Sequence, residues 1–224
     1  FIMYSIEKGE KDQHIKIKDN EGNLIFDYER SEDGKFTYDS KFAVFVIKAW
    51  KDSITEMKRK NIEKENLPRD SIGIFNLENN SLHKIANIKS YKIPKKWSGF
   101  LAYTYDKTPL EQNNKLKDSI NSEKGYPLII RNLKTNKEDT IPFVTNYTFA
   151  KEGMVLSYST TGLKDSINPG IYIKNLKTNS SKQIHISHEK TKYFKLNLSN
   201  SGDKLAFVKD ADSTKTYQRP YELY

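Results

Sequence analysis

Four histidines and no cysteine limit the chemistry this chain can offer. Without thiols, disulfides, thiolate metal sites and cysteine nucleophiles are excluded. His14 precedes a strand-like segment. His83 and His185 fall on outer-edge strand segments, where a solvent-facing side chain is the ordinary reading. His185, His188 and Glu189 have the residue types of a metal site, but their spacing is loose and no third well-placed ligand stands out. A serine hydrolase of the α/β type carries its nucleophile in Gly-x-Ser-x-Gly at a strand-to-helix elbow. No such motif is present, nor a glycine-rich phosphate loop. Trp50 and Trp97 have the residue type of an aromatic lip, though packing at a rim is the simpler role. Asn-x-Ser/Thr sequons at Asn79, Asn146, Asn179 and Asn197 are what so Asn- and Ser-rich a chain yields by chance. The residues therefore assign no catalytic position, no cofactor and no metal, and leave any binding residues undefined.

Charge and hydropathy narrow the class further. The net charge is +9, yet only four of the 38 basic residues are Arg (Arg30, Arg59, Arg131, Arg219). The lysines are spread through turn-like segments among 29 acids, without Arg clusters beside stacking aromatics. That pattern is a solvated Lys surface, and no nucleic-acid partner is expected. No apolar run approaches the roughly 20 residues that cross a bilayer, so no membrane span is expected. The chain opens in mid-strand at Phe1-Ile2-Met3-Tyr4 rather than on Met and is read as a fragment whose native start is missing. With 14 Tyr and 11 Phe, and with Ile and Thr at alternating positions, strands are favoured over helices.

The elements form a repeat. Leu128-Ile129-Ile130-Arg131-Asn132-Leu133-Lys134-Thr135-Asn136 returns almost unchanged as Ile171-Tyr172-Ile173-Lys174-Asn175-Leu176-Lys177-Thr178-Asn179. Segments ending in Asn or Asp occur at Asp19, Asn76, Asn132 and Asn175. Each is followed by a turn carrying Gly22, Asn80, Asn136 or Asn179, residues that tolerate a left-handed backbone. A second strand type ends in an aromatic: Phe42-Ala43-Val44-Phe45, Phe100-Leu101-Ala102-Tyr103, Val155-Leu156-Ser157-Tyr158 and Lys204-Leu205-Ala206-Phe207. Gly- or Asp-bearing turns precede three of them, most clearly Ser199-Asn200-Ser201-Gly202-Asp203. From Asn/Asp marker to the next aromatic marker the gaps are 26, 27, 26 and 32 residues; in the other direction they are 15, 31, 29 and 17. One connection varies while the rest of the unit is kept.

Four short antiparallel strands per unit, repeated every roughly 40–55 residues, are the mark of propeller blades. The expected fold is all-β: an open arc of four to five blades spanning 1–224. It comprises a partial blade 1–30, whole blades 31–88, 89–144 and 145–187, and a partial blade 188–224 holding its first two strands. With strands A to D counted from inside to outside, the variable connection is B–C. Both long insertions, 49–70 and 105–125, then leave one face. The first carries Ser53 and Glu56 in capping-box spacing, compatible with a short helix, but Ile54, Met57 and Ile62 make no full stripe, which leaves a solvated loop equally open. The second is polar. Asp-Ser-Ile recurs at 52–54, 70–72, 118–120 and 165–167, suggesting a structural role at strand entrances.

These residues also resemble a known family. Ser201-Gly202-Asp203-Lys204-Leu205-Ala206-Phe207 and Ile171–Asn179 resemble the blade repeats of TolB-like propellers. More narrowly, Tyr4-Ser5-Ile6-Glu7-Lys8-Gly9, Asp39-Ser40-Lys41-Phe42, Leu67-Pro68-Arg69-Asp70-Ser71-Ile72-Gly73-Ile74-Phe75-Asn76-Leu77 and Arg219-Pro220-Tyr221-Glu222-Leu223-Tyr224 resemble the N-terminal propeller of prolyl oligopeptidase-family serine peptidases of Bacteroidetes type. The sequence departs from the blade pattern where Asn136 and Asn179 replace a turn glycine and Lys95-Lys96-Trp97 replaces Ser-Pro-Asp-Gly. The resemblance implies a non-catalytic domain that gates peptide substrates and docks a C-terminal α/β-hydrolase domain bearing a Ser-Asp-His triad, none of which lies in this chain. It also implies a periplasmic or secreted location, and seven or eight blades in the intact ring. A piece of such a ring is expected to associate edge to edge. The alternative is a stand-alone TolB-like propeller that binds a protein partner through its B–C loops.

Overall fold

Alternating apolar and polar residues, broken by Asx- and Gly-bearing turns, fold into seventeen strands among the described residues. A computed structural model describes residues 1–7, 9, 12–106, 125–163, 166–187, 191–211 and 221–224. They divide into two compact units, Phe1–Lys89 and Ser90–Tyr224.

In the first unit β1 (Ile2–Ile6), β2 (His14–Lys18) and β3 (Leu24–Glu29) form a three-stranded antiparallel sheet. The strands β4 (Ser31–Phe36), β5 (Phe42–Ile47), β6 (Ser71–Asn76) and β7 (Ser81–Ile85) form a four-stranded meander. The sheets meet through Ile15 and Ile17 on one side and Phe45, Ile47, Phe75 and Leu77 on the other. Phe26 lies 4.1 Å from Phe75 and 5.4 Å from Phe45, centroid to centroid. Each such side chain taken from water contributes about 1.5–3 kcal/mol before the entropy cost of ordering it. Gly73 sits opposite Phe45 across β5 and β6, and a Cβ there would fall 2.4 Å from the Phe45 ring. The glycine is required by that ring.

In the second unit a seven-stranded sheet runs through β8 (Ile88–Lys92, which begins at the boundary), β9 (Phe100–Tyr105), β10 (Tyr126–Asn132), β11 (Glu138–Phe149), β12 (Val155–Thr160), β13 (Gly170–Asn175) and β14 (Ser180–Ile186). It is two four-stranded groups sharing one long strand. The first part of β11 pairs with β10 and the second part with β12. Between them the register shifts at Val144/Asn146, and Phe143 adopts φ +51°, unusual for so bulky a residue. The final sheet holds β15 (Lys192–Leu198), β16 (Leu205–Asp210) and β17 (Tyr221–Leu223). Reading the sequence gives this sheet two strands; β17 is a third, only three residues long and thus without a periodic signal. One core joins Trp97, Leu128, Ile130, Ile141, Leu156 and Tyr158, and another joins Ile171, Tyr193, Leu196 and Phe207. Every sheet is open, and the fold is the all-β assembly of four-stranded propeller blades that the repeat predicts.

The repeated Asn-Leu phrase has a physical function. Asn76 Oδ1 accepts from the Glu78 and Asn79 amides, Asn132 Oδ1 from Lys134 and Thr135, and Asn175 Oδ1 from Lys177 and Thr178. Asp19 Oδ1 does the same for Glu21 and Asn23. Each carboxyl or amide oxygen thus closes the turn after its own strand. The turn ends in a left-handed residue at Asn80 (φ +55°), Asn136 (+58°) and Asn179 (+55°). The next amide after each Asn marker reaches sideways. Leu77 N–H donates to Lys41 O, Leu133 N–H to Gly99 O and Leu176 N–H to Met154 O, at 2.9 Å each. All three acceptors immediately precede a B strand, so the C–D turn is tied to the A–B turn at one end of the groups β4–β7, β8–β11 and β11–β14. The leucine side chains are buried.

Charged groups reinforce one of these turns and the β15–β16 turn of the last sheet. Arg131, almost wholly buried, donates to Glu138 at 2.6 Å and to Asn136 Oδ1 at 2.9 Å, while the Tyr103 hydroxyl donates to Glu138 at 2.7 Å. Burial first, and the Glu138 hydrogen bond second, push the Tyr103 hydroxyl well above its ordinary range. In the A–B turn of the last sheet, Asp203 accepts from the Ser199 and Ser201 hydroxyls, which hold its carboxyl down at about 2.

Replacing Asn132 or Asn175 by alanine removes two side-chain-to-amide bonds and loosens the adjoining Leu link. Each change is expected to lower stability by about 1–2 kcal/mol, read as a lower urea midpoint with unchanged slope.

Candidate functional site

The 49–70 insertion builds a cleft of about 650 Å³ on the first unit. It folds as α1 (Lys51–Arg59) and a short 3-10 turn (Lys64–Asn66). Ser53 does not cap α1. The helix starts earlier, with Trp50 in the capping position and no side-chain cap bond of its own, so Ser53 lies in the first turn. Asp12 supplies an acceptor instead, its carboxylate 3.4 Å from the Lys51 amide. Asp52 in the first turn and Lys58 and Arg59 in the last suit the helix dipole. Ile54 and Met57 are half-buried while Ile62 is exposed, which explains the incomplete stripe.

The floor of the cleft is the end of the sheets where β3 passes into β4. Arg30 takes φ +59° there, its carbonyl accepts from the Lys48 amide at 2.7 Å, and its guanidinium donates to Lys48 O at 2.9 Å. The same guanidinium lies 4.6 Å from the Trp50 ring, a cation–π contact with an indole that is 46% exposed. Buried Ser31 donates to Tyr28 O and accepts from the Ile15 amide, locking the two sheets together under the cleft. Lys48 stands between Glu32 at 3.0 Å and Asp70 at 2.7 Å. Partial burial opposes its charge, but hydrogen bonds to Asp70 and Glu32 outweigh that and raise the ammonium.

Charge in the cleft is therefore uneven. Glu32 and Asp70 are committed to Lys48, and Asp12 faces the start of the helix, while along α1 the exposed Lys51, Lys58 and Arg59 outnumber Asp52. With the exposed Trp50 this makes a surface suited to hold an acceptor-rich segment rather than to move protons.

The candidate residues of the sequence do not converge on it. His14 lies 3.4 Å from Asp27 on the neighbouring strand, and His83 is exposed on β7. His185 is not solvent-facing. It is half-buried, with its ring 5.2–5.8 Å from Tyr193, Phe207 and Tyr224, because the last sheet packs over that edge. His188 and Glu189 lie outside the described residues. Among the described residues no group of three or more His, Cys, Asp or Glu is placed to hold a metal ion. Trp97 is core: its indole N–H donates to Ala150 O at 3.0 Å and its ring meets Phe100 and Phe149. Of the Asp-Ser-Ile triplets, 52–54 lies in α1 and Asp70 serves the Lys48 ion pair; 118–120 and Asp165 lie outside the described residues, as does nearly all of the 105–125 insertion. The residues that reading the sequence missed are Arg30 and Lys48, whose link across the sheet end leaves no local pattern. No described helix is long and apolar enough to cross a membrane.

No protein-family model matches the chain, and no curated protein matches it. Solved structures do. Acylaminoacyl peptidase from Pyrococcus horikoshii superposes with a TM-score of 0.50 at 14% identity, over 95% of this chain and 34% of that one. The β-propeller domain of the trilobed protease from Pyrococcus furiosus gives 0.47 at 14% identity, over 87% of this chain and 53% of that one. TolB from Acinetobacter baumannii gives 0.44 at 12%, over 99% and 48%. The chain thus spans between a third and about half of the structures it matches. At these identities the likeness is one of fold, and the chain is similar to a β-propeller domain.

Proposed function

We propose that this chain is the non-catalytic propeller portion of a prolyl oligopeptidase-type serine peptidase, gating peptides and docking an α/β-hydrolase domain. The observation that carries the reading is the cleft at the B–C end of the first unit's sheets. One wall comes from the 49–70 insertion, and the side chains around it are hydrogen-bond donors and paired ions. The blade fold and the resemblance of the sequence to that family's propeller support it. In this role the polar, positively rimmed cleft offers a peptide's carbonyl groups and carboxyl terminus donors from Arg59 and Lys58. Sequencing the encoding gene beyond Tyr224 tests the reading. A Gly-x-Ser-x-Gly elbow within the next several hundred codons is expected, and its absence overturns the peptidase assignment.

The exposed Trp50, held by Arg30 beside the Lys58/Arg59 rim, favours a second reading in which a separate protein docks on the insertion. Excising 51–69 is then expected to abolish capture of that protein while thermal unfolding stays cooperative. Undiminished capture sinks this reading and leaves the first untouched.

A further inference from the structure

A second cleft, of about 560 Å³, lies wholly within the second unit and belongs to none of the roles above. Its volume is that of a small-molecule site. We infer that it binds a neutral polyhydroxylated ligand, a mono- or disaccharide, between the start of β15, the mid-strand bulge of β11 and the end of β12.

Three features point to that chemistry. The first is a wall of hydroxyl and amide groups, Thr145, Asn146, Thr160 and Thr161. Two of the hydroxyls are held in place. Thr145 Oγ1 lies 2.8 Å from Ser159 Oγ, and Thr160 Oγ1 donates to Pro142 O while accepting from the Gly162 amide. Orientation fixed before binding is what lets weak polar contacts discriminate. The second feature is charge balance. Asp210, only 2% exposed, and Lys192, its partner in the β15–β16 register, both line the cleft. One acid and one base among the lining residues leave the wall near neutral, which disfavours a phosphate or an acidic peptide, yet sets charged groups beside a ligand's hydroxyls. The third is apolar. Phe194 and Tyr221 line the cleft with rings 40% and 61% exposed, set edge to face at 6.4 Å. Exposed rings beside fixed polar groups match the C–H faces and hydroxyl rims of a pyranose.

The backbone turns these groups toward one place. Both inner strands carry a bulge at the cleft, at Val144/Asn146 in β11 and Phe194/Asn197 in β15, with left-handed Phe143 and Lys195 beside them. A bulge re-aims the side chains around it. The blade scaffold alone does not call for two exposed rings beside a buried carboxylate.

Saturation-transfer NMR with the chain and a panel of neutral sugars (methyl glucoside, methyl galactoside, methyl mannoside, maltose and cellobiose) tests the inference. At least one sugar is expected to receive saturation, and Tyr221→Ala and Asp210→Asn are each expected to weaken its binding by about tenfold or more. Tyr221 is largely exposed, so Tyr221→Ala leaves the thermal unfolding profile unchanged and decides the matter even if Asp210→Asn does not fold. No transfer to any sugar overturns the inference. So does equal binding by wild type and the Tyr221 variant, or transfer to neutral tri- and tetrapeptides with none to the sugars.

Discussion

One backbone hydrogen bond, repeated, governs this molecule: the leucine amide after each Asn marker donates to the carbonyl that opens a B strand. The Asn side chain makes this possible by satisfying the turn's own amides first. Without that closure the turn's donors would compete for the same acceptor, and the strand register would be free to slip by a residue. A slip of one residue in a sheet reverses every side chain, sending Leu128 and Ile130 outward. The left-handed residue at the end of the turn, Asn136 or Asn179, sends the chain back at once. In the group from β8 to β11, Asn136 is also held by Arg131, so the turn, the C strand and Glu138 on the D strand form one polar unit.

Fixing one end of each four-stranded group leaves its other end free to vary. The B strands end at Ile47, Tyr105 and Thr160, and the segments beyond them differ in length and content. In the first unit that freedom is used for a helix capped from a neighbouring loop by Asp12 and anchored by Ile54 and Met57. In the second unit it leaves threonines, Asn146 and two aromatic rings around a second cleft. Both clefts sit at the B–C ends of their own sheets, where the link into the next inner strand also arrives.

Much of the fold is legible in the sequence because the repeat is physical. Asn132 and Asn175 recur with the same neighbours since both close the same turn, and the strand-ending aromatics recur because each fills a core. The markers can be recognised without knowing that their oxygens cap amides; that detail exists only in the folded chain. Long-range features are not legible. His185 looks like an edge residue until Tyr193, Phe207 and Tyr224 are seen around it, and those partners are 8, 22 and 39 residues away. β17 is too short to show a period. The junction of β11 is hidden because Phe143 and Val144 read as ordinary strand residues. The first cleft is half legible: its helix carries a capping pattern three residues too late, and the Arg30–Lys48 link spans 18 residues.

Amide hydrogen exchange at Leu77, Leu133 and Leu176 tests the central claim most directly. If these bonds tie each sheet together, all three amides exchange as slowly as those at the strand centres of Phe45, Tyr103 and Tyr158, opening only when the sheet itself unfolds. Exchange at the rate of the neighbouring turn residues, such as Lys134 and Lys177, would contradict the account.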